Sequence, residues 1–379
     1  MYKQLNTVFK NYKESTLYGR YIHAETIKPL LDKHAKNFKI KVIGKSVLKQ
    51  DIYSIEIGSG EKKILMWSQM HGNESTTTKA IFDLLNFFTN NKDAEAILNA
   101  CTLIIIPILN PDGAKAYTRV NANAVDLNRD AQDLTQPESI VLRDLFYVFN
   151  PHYCFNLHGQ RTIFSAGKTN NAATLSFLSP AQDQNCTITD NRKIAMSIIV
   201  KINEMLQKEL PNQVGTYDDA FNINCVGDTF QSLNVPTVLF EAGHCTNDYN
   251  REEVRRLVFK SYIVALDAIV SNKVNLKDFN DYLEIPQNEK LFFDVIIKNA
   301  HYKNKQVDIA IQYQEKLIDG KVHFVPKIEK IAKRDAFFAH NYINANGNGV
   351  LDKKNKPVSV GYENDFVIIN NAIFSIKFD

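Results

Sequence analysis

KKILMWSQMHGNE, residues 62–74, decides how the rest of the chain reads. Its first half is a short apolar run, the length of a buried strand. It then sets down a histidine, a glycine, an asparagine and a glutamate. A strand that leads straight into His71 and Glu74 offers an imidazole and a carboxylate, three residues apart, that can reach one small cation. A turn histidine at a strand–helix junction would look the same. The motif means more only if the chain supplies the other parts of a metal site.

Working outward, residues 24–35 have helical spacing, and KIKVIGKS (39–46) and DIYSIEIG (51–58) alternate as the strands of a hairpin. TTTKAIFDLLNFFTN (76–90) predicts a helix, TLIIIPIL (102–109) a buried strand and NPDG (110–113) a turn. PESIVLRDLFYVFN (137–150) predicts a helix, and HYCFNLHG (152–159) a strand that ends at His158. RKIAMSIIVKINEMLQKEL (192–210) and residues 251–271 predict helices around the strand VPTVLFEAGH (235–244). Strands and helices alternate, and several strands are apolar on both faces. This predicts an α/β fold whose mostly parallel sheet is covered by helices on each side. Ligands of such sheets sit at the carboxyl ends of the strands. MHGNE, LHG and FEAGH all fall there.

After about residue 275 the pattern changes to alternating strands with turn-rich links, in FFDVIIKNA, QVDIAIQY, GKVHFVP and DFVIINNAIFSIKF. The expected organisation is a catalytic domain over 1–275 and a small β-sandwich or barrel over 280–379. NANGNGVLDKKN (344–355) begins like a calcium loop. Asn355 stands where the ion needs a bidentate Glu, so the stretch reads as an Asn-Gly turn.

Composition narrows the function classes. The 379 residues are 44% apolar and 23% charged, with 45 Lys+Arg against 42 Asp+Glu and a net charge of +3, a balance that gives no argument for a partner, so no nucleic acid and no membrane surface is expected. The five cysteines are scattered without CxxC spacing, as expected in a reducing compartment. The N-terminus has no apolar signal-like region, and no run approaches 18 apolar residues. The expectation is a cytoplasmic protein with no membrane span. The oligomeric state is not given by the sequence.

A catalytic zinc takes three protein ligands and keeps one position open. His71 and Glu74 can supply two, and His158, which ends its own apolar strand, can supply the third. His152 precedes that strand and falls at its opposite end. A water acidified by zinc still needs a base, and Glu241 is the single acid placed at the end of VPTVLF. His244 and Cys245 lie close behind and could bind metal too. In RVNANAVDLNRD (119–130), Asn128 and Arg129 can make a bidentate carboxylate clamp, and Arg119 can stabilise an oxyanion.

Together these residues resemble the zinc carboxypeptidase family, the carboxypeptidase A-like metallopeptidases. The order is met by His71-Gly72-Asn73-Glu74, Arg119, Asn128-Arg129, His158 and Glu241, with NPDG (110–113) and DLNR (126–129) as further likenesses, over about residues 15–270. The resemblance implies a mixed, mainly parallel eight-stranded sheet between helices. It implies one zinc ion on His71, Glu74 and His158, with Glu241 as general base and later proton donor. Arg119 would polarise the scissile carbonyl, and Asn128 and Arg129 would hold the free carboxylate of a peptide or peptide-like substrate. A tyrosine usually closes over the substrate from a mobile loop before the catalytic Glu, and Tyr217 is the candidate. Val226, Gly227 and Asp228 lie where a side-chain pocket is expected.

The implied reaction is hydrolysis of a C-terminal peptide bond, releasing an amino acid from peptides or from muropeptides that contain diaminopimelate. A rival is a zinc-dependent N-acyl amino acid deacylase of the aspartoacylase or succinylglutamate desuccinylase type. It shares the metal triad, an HGNE and a DLNR. NPDG and the nine-residue separation of Arg119 from Asn128 favour the carboxypeptidase. A binding protein on a dead enzyme fold is a third reading, which the complete set of ligands and base argues against.

Overall fold

The computed structural model describes residues 5–333 and 337–378, with side chains from Phe9 onward. Residues 1–4, the start of the stretch read for a leader, lie outside the described residues. The chain divides into two compact units. One comprises residues 1–160 and 173–288, the other residues 161–172 and 289–379.

In the first unit the strands are β1 (Lys39–Lys45), β2 (Asp51–Gly58), β3 (Lys62–Ser68), β4 (Cys101–Ile106), β5 (Tyr153–Gly159), β7 (Leu175–Leu178), β8 (Val214–Thr216) and β9 (Thr237–Ala242). The two-residue strand β6 (Ser165–Ala166) belongs to the second unit. The eight strands form one sheet in the order β1-β2-β4-β3-β5-β9-β7-β8. Its middle is parallel, β4 with β3, β3 with β5 and β5 with β9, while β2 and β7 run antiparallel to their inner neighbours. The mixed, mainly parallel eight-stranded sheet expected from the resemblance is therefore present.

The sheet is buried on both faces because each central strand sends alternate side chains to opposite sides. From β3, Ile64 and Met66 enter one apolar cluster, and Leu65 and Trp67 enter the other. The first cluster is closed by helices α1 (Leu5–Tyr12), α2 (Ala24–His34), α3 (Thr76–Asn90), α4 (Glu95–Ala100), α7 (Asp190–Leu206) and α9 (Glu252–Val270). Along α3 every residue from Thr76 to Phe88 is buried, so its polar positions must find internal partners. The second cluster is closed by α6 (Pro137–Phe149) and α8 (Val226–Ser232). Phe155 and Leu157 of β5, with Val238, Phe240 and Ala242 of β9, point into the first cluster. By alternation, His158 and Glu241 point to the other face, at the carboxyl ends of their strands.

Two short elements complete the unit, α5 (Pro111–Ala116) and α10 (Phe279–Leu283). No helix among the described residues is long and apolar enough to cross a membrane. The second unit has β11 (Phe292–Tyr302), β12 (Lys305–Ile318), β13 (Lys321–Ala332) and β14 (Phe338–Asn344) in one sheet, after the two-residue β10 (Asn288–Glu289). A smaller sheet holds β15 (Val350–Leu351), β16 (Phe366–Ile369) and β17 (Ala372–Ser375). Val295, Ile297, Ile309 and Ile311 of the first sheet share one core with Val350, Val367 and Ile369 of the second.

Candidate functional site

The site begins where β3 ends. Asn110 of the NPDG turn caps α5, its Oδ1 accepting from Gly113 N at 2.8 Å, while its Nδ2 donates to Met70 O at 3.1 Å. This ties the turn to the residue before His71. The two loops touch backbone to backbone: a Cβ on Gly72 would lie 2.0 Å from the Gly113 carbonyl carbon. The glycine of HGNE is therefore required by close approach. Gln69 adds a bond from Nε2 to Gly72 O at 2.7 Å. The loop carrying His71 and Glu74 is held before any ligand arrives.

His71, Glu74 and His158 form the one group among the described residues whose His, Cys, Asp or Glu donors could share a metal ion, with all three ligand atoms within 4.8 Å of one another. His71 Nδ1 is 2.9 Å from Glu74 Oε1, and His158 Nδ1 is 3.1 Å from Glu74 Oε2 and 3.1 Å from His71 Nδ1. Two ring nitrogens this close, both facing one carboxylate, are what convergence on a shared cation looks like. The far nitrogen of His71, Nε2, meets Asp126 Oδ1 at 3.0 Å. A proton on Nε2 fixes the tautomer and turns the Nδ1 lone pair to the site. Glu74 Oε2 also accepts from Gly159 N at 2.9 Å.

Burial opposes charge on His71, but the Glu74 and Asp126 carboxylates outweigh it and push the imidazole up to about 9. Burial likewise favours the neutral form of Glu74, and its two histidine neighbours win, holding it well below the usual carboxylate range. Asp126 behaves in the same way, burial being overcome by His71 and Arg119. His158 goes down, from burial and from the positive charge of His71.

Glu241 stands next to His158 in the β5–β9 register. Its Oε2 is buried with no hydrogen-bond partner in the chain. Burial and the negative charge of Glu74 push it well above the usual carboxylate range. Two carboxylates in one small site are thus driven apart, one always charged and one ready to hold a proton.

Arg119 is exposed and reaches in, Nε to Asp126 Oδ2 at 3.1 Å and Nη1 to Glu74 Oε1 at 3.4 Å. Asn128 and Arg129 sit on a short 3-10 turn, Leu127–Arg129, whose first residue follows Asp126. Asn128 Oδ1 accepts from Val226 N at 3.0 Å, and Arg129 Nη1 donates to Cys225 Sγ at 3.1 Å. These contacts bring Asn128, Arg129 and the start of α8 together. Asp228, on α8, is buried and pushed up to about 6 by that burial, with Oδ1 accepting from Asn222 N at 3.2 Å. Tyr217 is half-buried, and its hydroxyl donates to Gln160 Oε1 at 2.8 Å. His152 takes its bond at the other end of the strand, Nδ1 accepting from Lys63 N at 3.2 Å.

Comparison with known proteins agrees with the motifs. Residues 23–176 match the zinc carboxypeptidase family. The resemblance read from the sequence is borne out. "Carboxypeptidase 2" of Trichophyton rubrum is 31% identical over 110 residues, 28% of this chain and 20% of that protein. "Carboxypeptidase D" of Mus musculus is 25% identical over 192 residues, 44% of this chain and 14% of that protein. The chain spans about a fifth of the length of the fungal relatives it matches. Among solved structures, the carboxypeptidase A of Helicoverpa armigera has a TM-score of 0.54 at 16% identity, covering 71% of this chain and 80% of that one. The metallo-carboxypeptidase of Burkholderia cenocepacia has a TM-score of 0.53 at 17% identity, covering 66% of this chain and 69% of that one. At such identities the likeness is one of fold.

The zinc carboxypeptidase match implies one zinc ion per chain. The donor set fits it: two imidazole nitrogens and a carboxylate is a combination zinc takes when a position is left open. Reasoning from sequence missed two contributors. Asp126 lies inside the quoted DLNR, two residues before Asn128, and that spacing was its only signal. Gln160 follows His158 by two residues and carried none.

Proposed function

We propose that this chain is a zinc metallocarboxypeptidase that hydrolyses the C-terminal peptide bond of peptides or muropeptides. The observation that carries the reading is the convergence of His71, Glu74 and His158 on one point beside the partnerless carboxyl of Glu241. His71, Glu74 and His158 hold the metal. A zinc ion in that position supplies Lewis acidity, polarising an amide carbonyl and acidifying water. Glu241 takes the proton of the attacking water and returns it to the leaving amine. Its raised pKa, from burial and the Glu74 charge, suits the second transfer. Arg119 faces the charge that develops on the carbonyl oxygen. Asn128 and Arg129 receive the substrate carboxylate, and the exposed guanidinium of Arg129 is open to it.

The test offers zinc-loaded protein a mixture of free peptides, their C-terminal amides, muropeptides and N-acyl amino acids, with products read by mass spectrometry. Free C-terminal amino acids or diaminopimelate are expected from substrates with a free carboxylate, and nothing from the amides. Glu241→Gln should slow release by about a thousandfold while keeping its zinc. Cleavage confined to N-acyl amino acids would make the chain a deacylase, and full activity in Glu241→Gln would remove that residue as the base.

A further inference from the structure

Arg119 and the Asn128–Arg129 clamp lie on one loop, and a buried polar hub at the start of α6 holds both ends of it. The hub is Gln136, the N-cap residue of α6, with Glu138 in the first turn, both buried. Asn121, two residues after Arg119, is buried against it. Asn121 Oδ1 accepts from Asn123 N and Val125 N, at 3.1 Å each. A backbone N–H only donates, so the orientation of the amide is settled. Its Nδ2 therefore faces the other way, and donates to Gln136 Oε1 at 2.8 Å and Glu138 Oε2 at 3.2 Å. Both lone pairs and both protons of that amide are in use. Gln136 Oε1 also accepts from Asn123 Nδ2 at 2.9 Å, and Glu138 Oε1 accepts from Val47 N at 3.1 Å.

The turn that Asn121 closes is strained. Asn121 N donates to Val125 O and Ala124 N to Asn121 O, at 3.0 Å each, and Ala124 is held at a φ of +59°. A left-handed alanine persists only where its surroundings over-determine it, as the Asn121 amide does here. The turn brings Arg119 back to Asp126, whose Oδ2 accepts from the guanidinium Nε at 3.1 Å while its Oδ1 meets His71. Arg119 is exposed, so its aim comes from Asp126 and from the backbone beneath it. The other end of the loop is held separately. Asp130, next to Arg129, is buried, and its Oδ1 accepts from Thr135 N at 2.9 Å and Thr135 Oγ1 at 2.7 Å. Its Oδ2 accepts from Gln136 N at 3.0 Å.

We propose that Asn121, gripped by Gln136 and Glu138, is a positioning residue for Arg119, and that Asp130 is one for the clamp, so that turnover and carboxylate binding are set by two separate anchors on one loop. This rests on the carboxypeptidase reading and deepens it. An arginine that acts on the reacting carbonyl gives its benefit only in close alignment, and a shift of about 1 Å costs on the order of 100-fold. A clamp on the substrate carboxylate acts alike in the ground state and the transition state, so displacing it raises KM and leaves kcat.

The test uses zinc-loaded full-length protein, its best-cleaved peptide as substrate and the amino acid released from that peptide as competitor. Asn121→Asp sets a second carboxylate against Glu138. It should lower kcat by about 100-fold, with zinc content and the inhibition constant of the competitor unchanged. Adding Glu138→Gln exchanges amide and carboxylate across the same bond and should recover at least about tenfold of that loss. In an Arg119→Ala background Asn121→Asp should cost nothing further, because a positioning residue acts only through the group it positions. Asp130→Asn should instead raise KM and the inhibition constant by about tenfold with kcat nearly kept. Asn123→Ala, at an exposed residue, removes one bond to Gln136 and should lower kcat severalfold with an unchanged thermal melt. If the Asn121 variants do not fold, Asn123→Ala decides, and an unchanged kcat in it overturns the inference. A loss in Asn121→Asp of the same size with and without Arg119 overturns it too. Either result leaves the carboxypeptidase reading intact, whereas no amino acid released from any peptide would sink both.

Discussion

Two of the buried charge clusters among the described residues of the first unit are built on opposite principles. On the α3–α9 side, Arg255 and Asp83 are both fully buried. Arg255 donates to the two Asp83 oxygens at 2.6 Å each, from Nε and Nη2, and to the Leu17 and Glu14 carbonyls at 2.5 and 2.8 Å. Glu14 N adds a bond to Asp83 Oδ1 at 2.7 Å, and Lys79 Nζ reaches Glu252 at 2.6 Å. The donors of that guanidinium are met by acceptors of the chain itself. At the carboxyl ends of β3, β5 and β9, by contrast, two imidazole nitrogens face each other at 3.1 Å, and both His158 Nε2 and Glu241 Oε2 are buried without partners. Buried charge costs several kcal/mol per ion unless it is paired. A cluster that closes on itself offsets that cost and stabilises the fold. A cluster left open bears part of it, and the opening is where a metal and a substrate can act.

The difference can be broken from either side. Removing a ligand from the open cluster should cost function and not fold. His158→Ala or Glu74→Gln should lose the zinc, read by metal analysis, and slow peptide hydrolysis by about a thousandfold or more, while the metal-free protein melts no lower than metal-free wild type. A variant that keeps zinc and rate would show that the convergence is structural. The closed cluster should behave in the opposite way. Arg255→Met or Asp83→Asn strands a buried partner and should cost about 3–5 kcal/mol in urea unfolding, with zinc stoichiometry unchanged in the folded protein. Loss of zinc without loss of stability in those variants would erase the distinction.

The smallest effect sharpens the edge of the closed cluster. Burial pushes Glu14 up, but hydrogen bonds from Lys33, Thr16 and Asn86 outweigh it and hold the carboxyl at about 2, down from 4.5. A carboxylate depressed in the folded state contributes stability that is present above the unfolded value and lost as pH falls through the folded one. Urea midpoints should therefore drop between pH 4.5 and pH 2, and the drop should be shallower in Lys33→Met. Because Lys33 is half exposed, the change should be small. Identical pH profiles would mean that Lys33 does not set the Glu14 charge.

Much of the site was legible because its parts are local. HGNE, NPDG and DLNR each close a turn whose side chains bond within a few residues, as Asn110 does to Gly113 and Asp126 to Asn128. Such contacts leave a spacing that can be read. The apolar strands KKILMWSQ, HYCFNLHG and VPTVLFEAGH were equally clear, since burial on both faces demands an unbroken run. The short strands β7 and β8 escaped, at four and three residues, because neither is long enough to show a period. Gln160 and Asn288 escaped for another reason: they are 128 residues apart and meet only through the register of β7, β8 and the segment after α10. Residues 161–172 fall inside the stretch expected to form one catalytic domain over 1–275, and they group with the second unit instead.

Composition and spacing alone determined an α/β sheet with strand ends bearing two histidines and two glutamates, because hydrophobic periodicity and turn chemistry act over a handful of residues. Which of those ends lie side by side was decided by strand order. The sequence runs β3, β4, β5, while the sheet runs β4, β3, β5, β9, and only that crossover sets His71, His158 and Glu241 on one edge. That the Tyr217 hydroxyl meets Gln160 Oε1 was decided later still, by which carbonyl the Gln160 amide meets in three dimensions.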